Sequence, residues 1–273
     1  MRYFSLSLLF ALLITGCGNQ EGETPKANNS STQVQSSTDS VTTSAATFID
    51  EIEEAHHAPK FFAHRGIAFD LKLSFGGKSR LTGRVTMLTN STKVMVERND
   101  GATVLFDGER VYRYPNDTNW PRARFDVLTW MYFFAAPYKL GDPGSQMELL
   151  GRFPLDSDTC ETGKLTFGDG IGDAPDDWYI VYKSDSTNLL RAMAYIVTFG
   201  KSAEESEKAE PHAIVYSDYR EVEGIPFAHR WTFTNWKQEE GVSGERGVAE
   251  ISNIRFVENP EFTLPDGKVE VGM

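Results

Sequence analysis

The chain has 273 residues, 12% of them aromatic, and a formal charge of −12 at pH 7. Acidity on that scale repels phosphate backbones and anionic lipid surfaces, which argues against nucleic acid as a partner. Cys17 and Cys160 are the two cysteines, too few for a disulfide framework.

Met1-Arg2 supplies a positive start, Leu6–Ile14 an apolar run, and Ile14-Thr15-Gly16-Cys17 an aliphatic-small-small-Cys junction. The run is short of the roughly 20 residues that a membrane span needs. The junction resembles the lipobox of bacterial lipoproteins. That resemblance implies a signal peptide over residues 1–16, cleavage before Cys17, a thioether diacylglycerol on the Cys17 sulfur and acylation, as by palmitate, of the new amine. An ordinary signal peptide, or a short membrane helix with a cysteine nearby, is the competing reading. With two or three acyl chains, each buried methylene adding about 0.8 kcal/mol, the protein is expected to be held on a membrane without crossing it. Gly18, where some inner-membrane lipoproteins carry Asp, favours the outer membrane.

Residues 17–44 form a polar stretch without an aromatic residue, expected to be a lipidated tether that cannot offset its own ordering entropy. The folded domain is expected over residues 45–273. Thr47 can cap a first helix with Phe48, Ile52 and Ala55 on one face. The period then changes to two: Ile67, Phe69, Leu71, Leu73 and Phe75 mark a half-buried strand, with Leu81–Met87 as its hairpin partner. Lys93–Arg98, Thr103–Phe106 and Arg110–Tyr114 follow through tight turns.

Phe125–Tyr138, FDVLTWMYFFAAPY, is apolar on every helical face and belongs inside something. Asp126 can cap its start and Pro137 limits its end, giving about ten residues. Gly141–Phe153 has the turn residues of a loop. Strands are expected again at Lys164–Phe167, Trp178–Lys183, Leu190–Phe199, Ala213–Tyr219, Ile225–Trp236 and Val248–Phe256. Ser202-Ala203-Glu204-Glu205 has the capping-box spacing of a short helix, and Pro260–Met273 is expected to trail off. The pattern is mainly β (α+β): a single curved antiparallel sheet, a half-barrel of roughly ten strands, wrapped around short helices.

Leu81-Thr82-Gly83 and Val104-Leu105-Phe106-Asp107-Gly108-Glu109-Arg110-Val111-Tyr112-Arg113-Tyr114-Pro115 carry a resemblance, as do Asp218–Phe227, Ile251–Phe256 and Phe262–Pro265. Together they resemble the lipoprotein-localisation carrier (LolA/LolB-like) superfamily, within a group of uncharacterised envelope lipoproteins. The resemblance implies a half-barrel around helices with an apolar cavity between them, periplasmic or outer-membrane work, and the chaperoning of acyl chains. It carries no catalytic residue over to this chain.

Chemistry-bearing patterns are few. Gly168–Trp178 holds Asp169, Asp173, Asp176 and Asp177, whose spacing misses that of a calcium loop and fits a solvated turn. These four would be the ligands if the loop bound metal. No histidine has zinc-site spacing, and His229 shares a strand face with Phe227, Trp231 and Phe233, as a core histidine would. Cys160 has no base beside it. No metal, cofactor or catalytic residue is therefore assigned.

The aromatic residues either fill a core or line a pocket; Trp130, Phe133, Phe134, Trp231 and Phe233 are the expected lining. The leading expectation is a non-catalytic outer-membrane lipoprotein, anchored through Cys17, that binds a hydrophobic small molecule or the acyl chain of a lipid or lipoprotein. The rivals are an envelope structural or protein-interaction module with a filled core and, last, a metal-assisted hydrolase built on the acidic loop.

Overall fold

The computed structural model describes residues 44–168 and 177–272. Helix α1 (Ala45–Ala55) is capped by Ser44, whose hydroxyl accepts from the Thr47 amide at 3.1 Å, and buries Phe48 and Ile52. The cap is thus three residues earlier than Thr47. A second short helix absent from the expectation, α2 (Ala58–Ala63), follows with Pro59 in its first turn and buries Phe61.

Thirteen strands among the described residues form one open antiparallel sheet. The first meander comprises β1 (Gly66–Phe75), β2 (Lys78–Leu88), β3 (Val94–Arg98), β4 (Thr103–Phe106) and β5 (Val111–Tyr114). The second comprises β6 (Ser145–Leu155), β7 (Asp158–Phe167), β8 (Tyr179–Lys183), β9 (Leu190–Tyr195), β10 (His212–Val222), β11 (Ile225–Lys237) and β12 (Gly241–Val257). The two join where β1 pairs with β12, Leu71 opposite Ile251 and Leu73 opposite Ala249. With a last short strand, β13 (Val269–Glu270), the spatial order is β13-β5-β4-β3-β2-β1-β12-β11-β10-β9-β8-β7-β6.

That order dictates the path of the aromatic helix. The chain leaves β5 near one end of the sheet and enters β6 at the opposite edge, so the connection must cross a face of the sheet. Helix α3 (Ala123–Ala135), continued by a 3-10 turn at Ala136–Tyr138, makes the crossing. Because it is apolar all round, it can cross through the core, and Val127, Ala135 and Ala136 have no solvent exposure. The two turns together extend beyond the expected ten residues because Pro137 is accommodated in the tighter 3-10 turn.

Asp126 does not cap this helix. Arg122 occupies the cap position, and Asp126 lies inside the first turn with its side chain buried. Its carboxylate accepts from Arg80 Nη2 at 2.8 and 2.9 Å, Trp120 Nε1 at 2.7 Å and Trp130 Nε1 at 3.1 Å. One carboxylate therefore fastens α3 to β2 and to the loop before it.

Two expectations about irregular chain are overturned. Residues Ser145–Leu155 form edge strand β6 rather than a loop; the turn residues Gly141–Gly144 precede it, and Gly151 sits at a bulge in the β6–β7 ladder. Pro154 is tolerated because β6 pairs on one side only. At the other edge the C-terminal segment contributes β13 (Val269–Glu270), paired with Tyr112 and Arg113 of β5. Within β2, Gly83 is required by close approach: a Cβ there would stand 2.3 Å from the Glu97 carbonyl oxygen of β3.

The sheet has apolar residues on both faces. The larger cluster lies under α1, α2 and α3. A smaller one on alternate residues of the second meander contains Ile180, Tyr182, Ala192, Ala194, Ala213 and Trp236, with Trp236 Nε1 donating to the Tyr182 hydroxyl at 2.7 Å. Cys160 is buried in this second cluster, and burial pushes its thiol pKa up, as suits a packing residue.

Candidate functional site

A cavity of about 510 Å³ opens beside α3. Its wall draws Arg124, Phe125, Leu128, Thr129, Met131 and Tyr132 from α3, Phe106, Gly108 and Glu109 from the β4–β5 hairpin, and Phe167 and Tyr179 from β7 and β8. Phe199, from the segment after β9, and the segment around Lys139–Ser145 complete it. The helix thus has two working sides: one packs on the sheet, and the other carries the half-buried stripe Arg124, Leu128 and Tyr132, spaced i, i+4, i+8.

The five aromatic residues expected to line the cavity lie on the packed side. Trp130 meets Phe233 edge-on with centroids 5.9 Å apart, Phe134 stacks on Phe69 at 3.9 Å, and Phe133 lies 5.0 Å from Tyr195. Trp231 meets Tyr216 at 5.9 Å. All five belong to the core cluster, and none lines the large cavity. Phe134 and Trp231 do border a crevice of about 20 Å³ under α3, together with His56 and Tyr138. Arg124, Thr129 and Tyr132 put polar atoms on the cavity side of α3, but Asp126 and Trp130 put them on the packed side too, so polarity does not mark the side.

The apolar wall has a polar end. Lys139 is ion-paired with Asp142, and Asp177 accepts from the Thr198 amide at 3.0 Å and the Thr198 hydroxyl at 2.6 Å. Burial, and then the charges of Asp142 and Asp177, push the Tyr132 phenol well above its ordinary range. Its hydroxyl is buried without a hydrogen-bond partner among the described residues.

Two histidines outside the cavity wall are shifted by burial. His56, buried against the start of β9, accepts from the Leu190 amide through Nε2 at 3.1 Å, and burial lowers its pKa to about 3. His229 is half-buried between Phe227 and Trp231; burial lowers it too, and its Nε2 is unpartnered among the described residues rather than satisfied. No three His, Cys, Asp or Glu side chains converge on a metal position among the described residues. Cys17, residues 1–43 and the loop residues Asp169, Asp173 and Asp176 lie outside the described residues. No helix among the described residues is long and apolar enough to cross a membrane.

No protein-family model matches the chain, and no curated protein matches it in sequence. Solved structures do match. A LolA superfamily protein from Nitrosomonas europaea superimposes with a TM-score of 0.53 at 13% identity, covering 82% of this chain and 99% of the other. A domain from Vibrio parahaemolyticus, described as an outer membrane lipoprotein-sorting protein, gives 0.51 at 12% identity, covering 80% and 95%. At these identities the likeness is one of fold, and it extends over nearly the whole length of each relative: the chain has a LolA-like fold.

Proposed function

We propose that the protein is a non-catalytic envelope lipoprotein that binds an apolar ligand, the acyl chain of a lipid or lipoprotein, in the cavity beside α3. The observation that carries this reading is the cavity of about 510 Å³ walled by Phe106, Phe125, Leu128, Met131, Phe167 and Phe199. A pocket of that size, apolar with a few polar groups at one end, is of the kind that holds small hydrophobic molecules. Transfer of methylenes from water would supply the affinity without any reacting group, at about 0.8 kcal/mol each. The fold shared with a domain described as lipoprotein-sorting supports the same class of ligand. Anchoring through Cys17 after loss of residues 1–16, with residues 17–44 as tether and an outer-membrane address, belongs to this proposal and rests on the lipobox pattern.

The test is native mass spectrometry of the delipidated full chain after challenge with phospholipid vesicles. Binding predicts a retained lipid mass that is lost in Leu128→Arg, which puts a charge on the cavity wall, and kept in Phe62→Ser, an exposed residue outside it. The filled core beneath α3 favours a second reading, an envelope structural or protein-interaction module. That reading predicts a lipid-free mass under every challenge.

A further inference from the structure

Three rings of the cavity wall cluster at its polar end. Tyr132 lies 5.2 Å from Tyr179 and 6.4 Å from Phe167, and Phe167 lies 5.9 Å from Tyr179, centroid to centroid. The Phe167 plane stands at 73° and 83° to the other two, so the rings make a corner rather than a stack. Asp142 and Asp177 line the same cavity. Both act on the Tyr132 phenol, and Asp177 on that of Tyr179, so the carboxylates lie within electrostatic reach of the corner. Among the described residues the charged lining is Glu109, Asp142 and Asp177 against Arg124 and Lys139, a balance of one negative charge in which Lys139 and Asp142 offset each other.

Ring faces are negative, and so is the balance of the charged groups around them. An anionic headgroup would meet unfavourable potential from both sources, whereas an organic cation would be attracted by both. The rest of the lining is apolar and suits an alkyl tail. We propose that the cavity takes an amphiphile with an organic ammonium head, seated at the corner of Tyr132, Phe167 and Tyr179 beside Asp142 and Asp177, with its tail along α3. This rests on the apolar-ligand reading of the same cavity and adds the chemistry of the head.

The experiment is isothermal titration calorimetry of the full chain with decyltrimethylammonium, decanoate and decanol, which share one alkyl tail and differ in head, each kept below its micelle threshold. The ammonium is expected to bind about tenfold more tightly than decanol, and decanoate more weakly than either. Asp142→Asn and Asp177→Asn are expected to bring the ammonium within about threefold of decanol, while Glu239→Gln, an exposed acid outside the cavity, leaves the preference unchanged. For the wild-type chain alone, nuclear Overhauser contacts from the N-methyl protons are expected to reach the rings of Tyr132, Phe167 and Tyr179, a readout that needs no variant to fold. Equal binding of the three probes, or tightest binding of decanoate, overturns the headgroup assignment and leaves the apolar-ligand reading standing. An ammonium preference that Glu239→Gln weakens as much as Asp177→Asn, or N-methyl contacts to other rings, also overturns it. Failure of all three probes to bind overturns both.

Discussion

Asp126 shows how much a single side chain can decide. Its carboxylate has no exposure, while its partner Arg80 keeps 29% of its side chain in water. The two halves of the pair are therefore unequal. Arg80→Met strands a buried carboxylate with only two indole donors and is expected to cost about 3–5 kcal/mol in urea unfolding. Adding Asp126→Leu is expected to recover part of that loss, because the uncompensated charge goes while the Trp120 and Trp130 N–H groups lose their acceptor. His56 gives a pH dependence of definite sign. The unfolded chain takes up a proton near the ordinary value of 6.5, while the buried imidazole resists until about 3. Its contribution to stability is full above 6.5 and falls away as pH drops toward 3, at about 1.4 kcal/mol per unit. Unfolding free energies from urea titrations at neutral pH and near pH 5 are expected to differ by about 2 kcal/mol from this residue, and His56→Gln, which still accepts from Leu190, is expected to lose that part. Neither role was legible in the sequence. Asp126 stands where caps stand, and its real partner is 46 residues earlier.

At the scale of elements, α3 was legible as buried and illegible in orientation. A helix apolar on every face gives no moment to say which side meets the sheet, so Trp130, Phe133 and Phe134 could not be told from Phe125, Leu128 and Tyr132 by spacing. Edge strand β6 was hidden for a related reason: its residues are exposed or half-exposed on both faces up to Leu155, so its alternation is weak, and Gly151 and Pro154 imitate a loop. Helix α1 is held by Lys183 of β8, whose side chain is 5% exposed and is ion-paired with Glu51 and, at 2.8 Å, with Glu161. The same ammonium lies 5.2 Å from the Phe48 ring. Lys183→Met removes the tie between helix and sheet while preserving the stem. Amide exchange over residues 45–55 is expected to speed up about tenfold or more, with β1 and β12 unchanged. Equal acceleration throughout would mean that Lys183 supports the whole fold instead.

For the whole molecule, two meanders joined by a helix crossing the concave face account for both the packed core and the open cavity. The alternation of β1 and β2, the tight turns and the closing strand pattern made the half-barrel legible; the described residues form 13 strands where roughly ten were expected, because the edges are the least patterned parts. The cavity itself depends on which side of α3 faces away from the sheet, and that is set by long-range register. The most direct measurement is photo-crosslinking of the delipidated full chain with a fatty alcohol bearing a diazirine along its tail, followed by peptide mapping. Acyl binding in the cavity predicts labels on Leu128, Met131 or Tyr132 of α3 and on Phe167 or Phe199, competed away by unlabelled alcohol. Labels confined to surface residues such as Phe62, or no competable label at all, would contradict the account.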